Sequence, residues 1–191
     1  MVNWRCHILC VVLLVASGSG RPAIAAETAP FREAEVKAAF LFNFAQFIEW
    51  PVQSFSNATA PFVIGVLGDD AFGHILNRMV QGETIRGRPI ILKSHKRADE
   101  LTDCHILFIS RSEHARLAQI LTAAGNPGVL TIGEIDQFTH LGGVINFFTT
   151  RDNKVHFEIH LANAARAGLK IDAKLLKVAQ VVSPANPTEG R

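Results

Sequence analysis

Hydrophobic and polar positions divide the chain into short apolar runs separated by stretches of helical spacing. Residues 62–67 (FVIGVL), 89–92 (PIIL), 105–109 (HILFI) and 129–132 (VLTI) are nearly continuous in apolar side chains. Runs of that length and composition are the mark of strands buried on both faces. Gly142-Gly143 leads into a fifth run, 144–148. Residues 155–161 (VHFEIHL) alternate strictly, so one face is expected to be buried and the other wet. These last two runs flank a polar turn, 149–153, and predict an antiparallel hairpin. Between the runs, helices are expected over 71–80, with Asp69 or Asp70 as cap, and over 112–123. Further helices are expected over 163–167, stopped by Gly168, and over 173–182, capped by Asp172. Residues 82–87 read as a loop and 134–140 as a short helix or turn. Strands alternating with helices define an α/β class. The expectation is a mostly parallel central sheet flanked by helices, with a C-terminal antiparallel hairpin, in a Rossmann-like three-layer arrangement.

Ahead of the first strand lies the most distinctive stretch, 37–51 (KAAFLFNFAQFIEWP). It predicts one amphipathic helix over 32–49, ended by Pro51, which disfavours helical geometry at Trp50. At 100° per residue, Phe40, Leu41, Phe44, Phe47 and Ile48 share one side, and Glu35, Asn43, Gln46 and Glu49 the other. Phe42 and Trp50 fall among the polar residues, with Gln46 between them at four-residue spacing. Two readings stand: a neighbouring element covers these aromatics, or Phe42, Gln46, Glu49 and Trp50 form a docking surface for another protein.

The chain's ends change its charge. Residues 1–25 carry a positive start at Arg5, an apolar run over 8–16 and an Ala23-Ile24-Ala25 cleavage pattern, and so read as a secretory signal peptide. Loss of Arg5 and Arg21 brings the 19 basic residues down to equal the 17 acidic ones. No clustered basic face suggests nucleic-acid binding. Cys6 and Cys10 leave with the leader, so Cys104 has no intramolecular partner; it opens an apolar run and is expected to be buried. Residues 32–182 are expected to form a single domain, and 183–191 a flexible tail. The 48% hydrophobic content, with 13 Phe, fits a packed core.

Candidate chemistry is sparse. Gly68, Asp69 and Asp70 follow a strand and precede a helix, and Ser110 ends another strand, which is where α/β folds place ligands. No glycine-rich dinucleotide motif or phosphate-loop lysine accompanies them. His156, Glu158 and His160 share one side of the alternating run, but same-side strand residues sit about 7 Å apart, wide for metal chelation. Cys104 and His105 are adjacent, which points them to opposite faces of a strand. Arg86 and Arg88 lie in a loop able to meet acidic groups. These residues assemble neither a catalytic set nor a cofactor or metal site.

Together, the 37–51 stretch, FVIGVLGDDAFG at 62–73, CHILFIS at 104–110, GGVINF at 142–147 and VHFEIHLANAARAGLKIDAKLL at 155–176 resemble the YfiR-like periplasmic repressors. The resemblance runs through nearly all of the chain after residue 32. It implies a periplasmic α/β protein without enzymatic activity. Such a protein binds the periplasmic domain of an inner-membrane diguanylate cyclase and holds it inactive, which lowers cyclic di-GMP and biofilm formation. It further implies sequestration by an outer-membrane lipoprotein, and a homodimer in some members. Disulfide-bearing members differ from this chain, in which Cys104 stands alone after the leader. The alternative is a periplasmic small-ligand receptor using the Gly68–Ser110 strand ends.

Overall fold

The computed structural model describes residues 29–68, 70–101 and 103–182. The expected leader (1–25) and tail (183–191) lie outside them. Helix α1 (Ala29–Phe47) leads into a two-residue strand, β1 (Ile48–Glu49). Strand β2 (Phe62–Leu67) is followed by α2 (Asp70–Val80), β3 (Thr84–Ile85), β4 (Arg88–His95) and β5 (Ile106–Ile109). Then come α3 (Leu117–Ala123), β6 (Leu130–Gly133), β7 (Ile145–Thr149), β8 (Val155–His160) and α4 (Leu161–Arg166). The described chain ends with β9 (Lys170–Ile171), α5 (Ala173–Leu176) and β10 (Gln180–Val182).

One eight-stranded sheet has the order β10-β8-β7-β6-β5-β2-β4-β3, and β1 and β9 form a separate antiparallel pair. β4, β2, β5, β6 and β7 run parallel, β8 returns antiparallel to β7, and β10 lies parallel to β8. The chain leaves β2 for β4 on one side and then crosses to β5 on the other. This is the doubly wound order, and its reversal point lies between the carboxyl ends of β2 and β5. The α/β class and the β7–β8 hairpin are as the pattern implied.

Four elements differ from their sequence reading. The long helix stops at Phe47 rather than Glu49, because the next residues pair with β9 and the Phe47 carbonyl accepts the Asp172 N–H at 2.9 Å. Within the expected loop 82–87, β3 pairs back on β4 through Arg86 and Gly87, with φ of 50° and 78°. Such left-handed pairs make the tightest hairpin turns. The expected helix 112–123 opens as a 3-10 turn over Arg111–Arg116. The expected last helix ends at Leu176, and 180–182 joins the sheet instead, where Val181 and Val182 suit a strand beside β8.

The strands' period of two separates the sheet's faces. Phe62, Ile64, Val66, Ile106, Phe108, Leu130, Ile132, Ile145, Phe147, Phe157 and Ile159 pack on one side with α1 and α2 residues Leu41, Phe44, Phe72 and Leu76. Leu67, Leu107 and Ile109 project to the other side, under Leu117 and Ile120 of α3 and under Phe138. The molecule thus has three layers, with two separate apolar clusters divided by the sheet.

Candidate functional site

The four residues of the α1 patch occupy different environments. Gln46 and Glu49 are exposed, whereas Phe42 is half-buried against the larger apolar cluster. Gln46 Nε2 reaches the Thr84 carbonyl at 3.4 Å, and Glu49 stands opposite Lys170 in the β1–β9 pair. Trp50 lies past the helix, so the helical projection does not apply to it. Its indole N–H donates to the His105 carbonyl at 3.1 Å, and its ring meets Phe62 edge-on at 4.9 Å. The aromatic pair therefore contributes to packing, and the water-facing part of the patch is Gln46 and Glu49.

Trp50 belongs to a clasp at the amino end of the sheet. His105 Nδ1 accepts the Val63 N–H at 3.0 Å, which places the proton of the neutral ring on Nε2. Nε2–H donates in turn to the Ser54 carbonyl at 2.9 Å. The imidazole packs against both Phe55 and Phe62, at 4.4 and 5.0 Å, and these two rings also approach each other at 6.3 Å. Arg88 lies over Phe55 at 3.9 Å and donates to the Ala60 carbonyl at 2.7 Å and the Asn57 carbonyl at 3.0 Å. Burial pushes the His105 pKa below its usual value; the hydrogen bond to the Ser54 carbonyl opposes this, and the Arg88 charge adds to it. The adjacent-pair reading of Cys104 and His105 overlooked this clasp, since the partners of His105 lie 42 and 51 residues away in sequence.

Beside the clasp opens a cavity of about 560 Å³, bordered by Phe55, Val63, Ile91, Lys93, Cys104 and His105. Cys104 is buried, as its sequence context suggested, and rests on Gly65, where an added Cβ would come within 2.7 Å of its sulfur. Its Sγ is 3.6 Å from His95 Nε2. Burial raises the thiol's pKa and lowers that of His95, so a neutral thiol faces a neutral ring. A protonated, buried thiol is a poor nucleophile.

At the opposite end of the strands, the described residues Ser110, Ser112 and Glu113 crowd Gly68. Gly68 has φ of 105°, and a Cβ there would collide with the hydroxyls of Ser110 and Ser112. These hydroxyls are 2.6 Å apart, and the buried Glu113 beside them pairs with Arg116 at 2.5 Å. Asp69 lies outside the described residues, and Asp70 is the first residue of α2. Gly68 and Ser110 are thus brought together, but the space between them is taken up by the 3-10 turn.

The wet face expected for β8 is also modified. His156 is exposed and Glu158 accepts from Thr139 Oγ1 at 2.8 Å, but His160 is buried. Its Nδ1 caps α4 by accepting the Asn163 N–H at 3.3 Å. No group of three His, Cys, Asp or Glu side chains among the described residues is placed to hold a metal ion. Nor is any described helix long and apolar enough to cross a membrane.

Fold and surfaces together define a doubly wound α/β domain with a cavity at the amino end of its sheet. The chain belongs to the YfiR/HmsC-like family, whose model matches residues 34–180. Among solved structures it is similar to a conserved domain protein from Vibrio cholerae O1 biovar El Tor strain N16961, at 9% identity and a TM-score of 0.51. That likeness covers 78% of this chain and 60% of the other, and it is one of fold. No curated protein matches the chain.

Proposed function

We propose that the protein is a periplasmic regulator that represses an inner-membrane diguanylate cyclase by binding its periplasmic sensor domain, lowering cyclic di-GMP and biofilm formation. The observation that carries this reading is the YfiR/HmsC-like match over residues 34–180. A soluble protein silences a membrane enzyme only if it binds the inactive state of the sensor better than the active one. An outer-membrane lipoprotein that competes for the repressor would relieve the inhibition. The α1 patch is the proposed contact surface, with Gln46 and Glu49 reaching the partner and Phe42 and Trp50 supporting them from below.

The test is recovery of the complex from cell envelopes with the chain from residue 26 onward. A membrane protein carrying a periplasmic sensor and a cyclase domain should co-purify. Gln46→Ala combined with Glu49→Gln should weaken that complex about tenfold with little change in the melting temperature. Failure to recover any cyclase after mild cross-linking would count against the reading.

A specific observation favours a second reading, a small-ligand receptor. The open cavity lies at the amino end of the strands, away from Gly68 and Ser110. Its size is within the range of small-molecule sites. A thermal-shift screen of small periplasmic metabolites would support it through a raised melting temperature.

A further inference from the structure

Strand β4 is open along most of its outer edge and on one face. Its inner edge pairs with β2 over the whole of Ile90–His95, whereas β3 covers its outer edge only at Arg88 and Pro89. Among the described residues, no backbone ladder covers the outer edge beyond Pro89. The face of the sheet opposite α1 and α2 is also bare here: Ile91 is 44% exposed, and Ile91 and Lys93 border the cavity described above. The reason is topological. In a doubly wound sheet the crossover from β4 to β5 usually carries a helix over that face, but its described residues here hold a single 3-10 turn at Ala98–Glu100. An open edge of this length is a template for another strand, which sheet proteins normally cover or blunt.

The charge of β4 selects the occupant. From Arg86 to Arg97 the chain carries Arg86, Arg88, Lys93, Lys96 and Arg97 and no acidic residue. Arg86 and Arg88 are committed to backbone carbonyls and Arg97 to Asp99. Lys93 and Lys96 make no ion pair among the described residues. A second copy fits poorly: an antiparallel register centred on Leu92 sets Arg88 opposite Lys96, and one centred on Lys93 sets that lysine against itself. Like charges directly opposite destabilise a strand pair.

We propose that the free edge of β4 binds an extended acidic segment of a partner protein as an added strand. Main-chain groups of Ile90–His95 supply the ladder, and side-chain pockets set the preference. On the cavity side the segment places an apolar residue beside Ile91 and a carboxylate beside Lys93. On the opposite side it sets apolar residues beside the half-buried Ile90 and Leu92. This deepens the regulatory reading and rests on it, because it names the surface and chemistry through which a binding protein would hold its partner.

The probe is a capped peptide with glutamate at every fourth position and valine at the others, so that one face carries valine and glutamate in turn, with a control peptide in which lysine replaces each glutamate. Binding is followed by fluorescence polarisation, and amide hydrogen exchange locates the contact. The glutamate peptide should bind, weaken with added salt, and slow exchange at Ile90–His95 alone. Lys93→Glu with Lys96→Glu, both side chains lying outside the apolar core, should keep the melting temperature and reduce affinity about tenfold. Equal binding of the two peptides, or protection elsewhere on the molecule, overturns the proposal. So does protection of Ile90–His95 without peptide in a sample that sediments as a dimer, which would assign the edge to a second copy. Cyclase recovery from envelopes that survives Lys93→Glu with Lys96→Glu, alongside no peptide binding, removes the edge proposal and leaves the regulatory reading standing.

Discussion

The two faces of the central sheet are built to different standards of closure. On the α1–α2 face, Phe40, Phe44, Phe147 and Phe157 form a continuous ring cluster with centroid separations of 4.8 to 6.3 Å. On the other face, α3 packs with Leu67 of β2 and Leu107 and Ile109 of β5, and apolar burial stops before β4, where Ile91 is exposed and Lys93 only half-buried. The first face has two long helices over it; the second has one seven-residue helix and several turns. Stability is thus concentrated on one face, which leaves the other free to carry an interaction surface at modest cost to folding.

The sharpest test of that contrast is Phe44→Ala. Phe44 is fully buried at the centre of the ring cluster. Its removal should cost about 3–5 kcal/mol in urea denaturation, as for other buried aromatics. A loss near 1 kcal/mol would mean that the face tolerates voids and is not the stable half. Next in size is Gly143→Ala. Phe138 is fully buried on the second face and its ring lies where a Gly143 Cβ would stand. Overpacking there should cost about 1–3 kcal/mol. Phe138→Leu in the same chain should recover part of the loss, as coupling between touching residues requires. Additive losses would show that Gly143 is needed for some reason other than this ring.

Much of the first face was legible in the chain, and less of the second. Continuous apolar runs at 62–67 and 105–109 specify buried strands whatever lies beside them, and their order with the helices specifies the α/β class. Trp50 was misplaced because a helical wheel assumes that the helix continues, whereas cross-chain pairing of Ile48 with Ile171 ends it at Phe47. The stretch 173–182 reads as helical by composition, but the open edge of β8 captured Gln180–Val182. The Gly68–Ser110 crevice had the right position for a ligand, yet Ser112 and Glu113 fill it from a turn that carries no sequence signal of its own. In each case a partner distant in sequence decided a local outcome.

A smaller effect should come from pH, through two buried histidines, His105 at the amino end of the sheet and His95 at the carboxyl end of β4. His105 and His95 both have pKa values lowered chiefly by burial. Above the usual imidazole value of about 6.5 each ring is neutral whether folded or not, so this contribution to stability is fully present. As pH falls below that value the unfolded chain takes up protons that the folded rings refuse, and stability declines until the folded rings titrate. The maximum slope is about 1.4 kcal/mol per pH unit for each ring. Melting temperature should therefore fall between pH 7 and pH 5, and His105→Asn should flatten the curve. An unchanged curve in that variant would mean that the clasp opens readily enough for His105 to be protonated in the fold.

The smallest effect expected is the most informative about the open face. Ile91→Ala removes a side chain that is 44% exposed, so only part of its transfer free energy is at stake. The loss should stay below about 1 kcal/mol, with no dependence on protein concentration. Phe44→Ala provides the internal scale, since Phe44 of α1 packs on one face of the sheet and Ile91 of β4 projects from the other. A loss of about 2 kcal/mol or more at Ile91 would be the value of a core position. It would mean that something covers β4 in solution, and a loss that grew with protein concentration would identify the cover as a second copy. A small, concentration-independent loss keeps the face open, which is the condition an incoming strand on β4 requires.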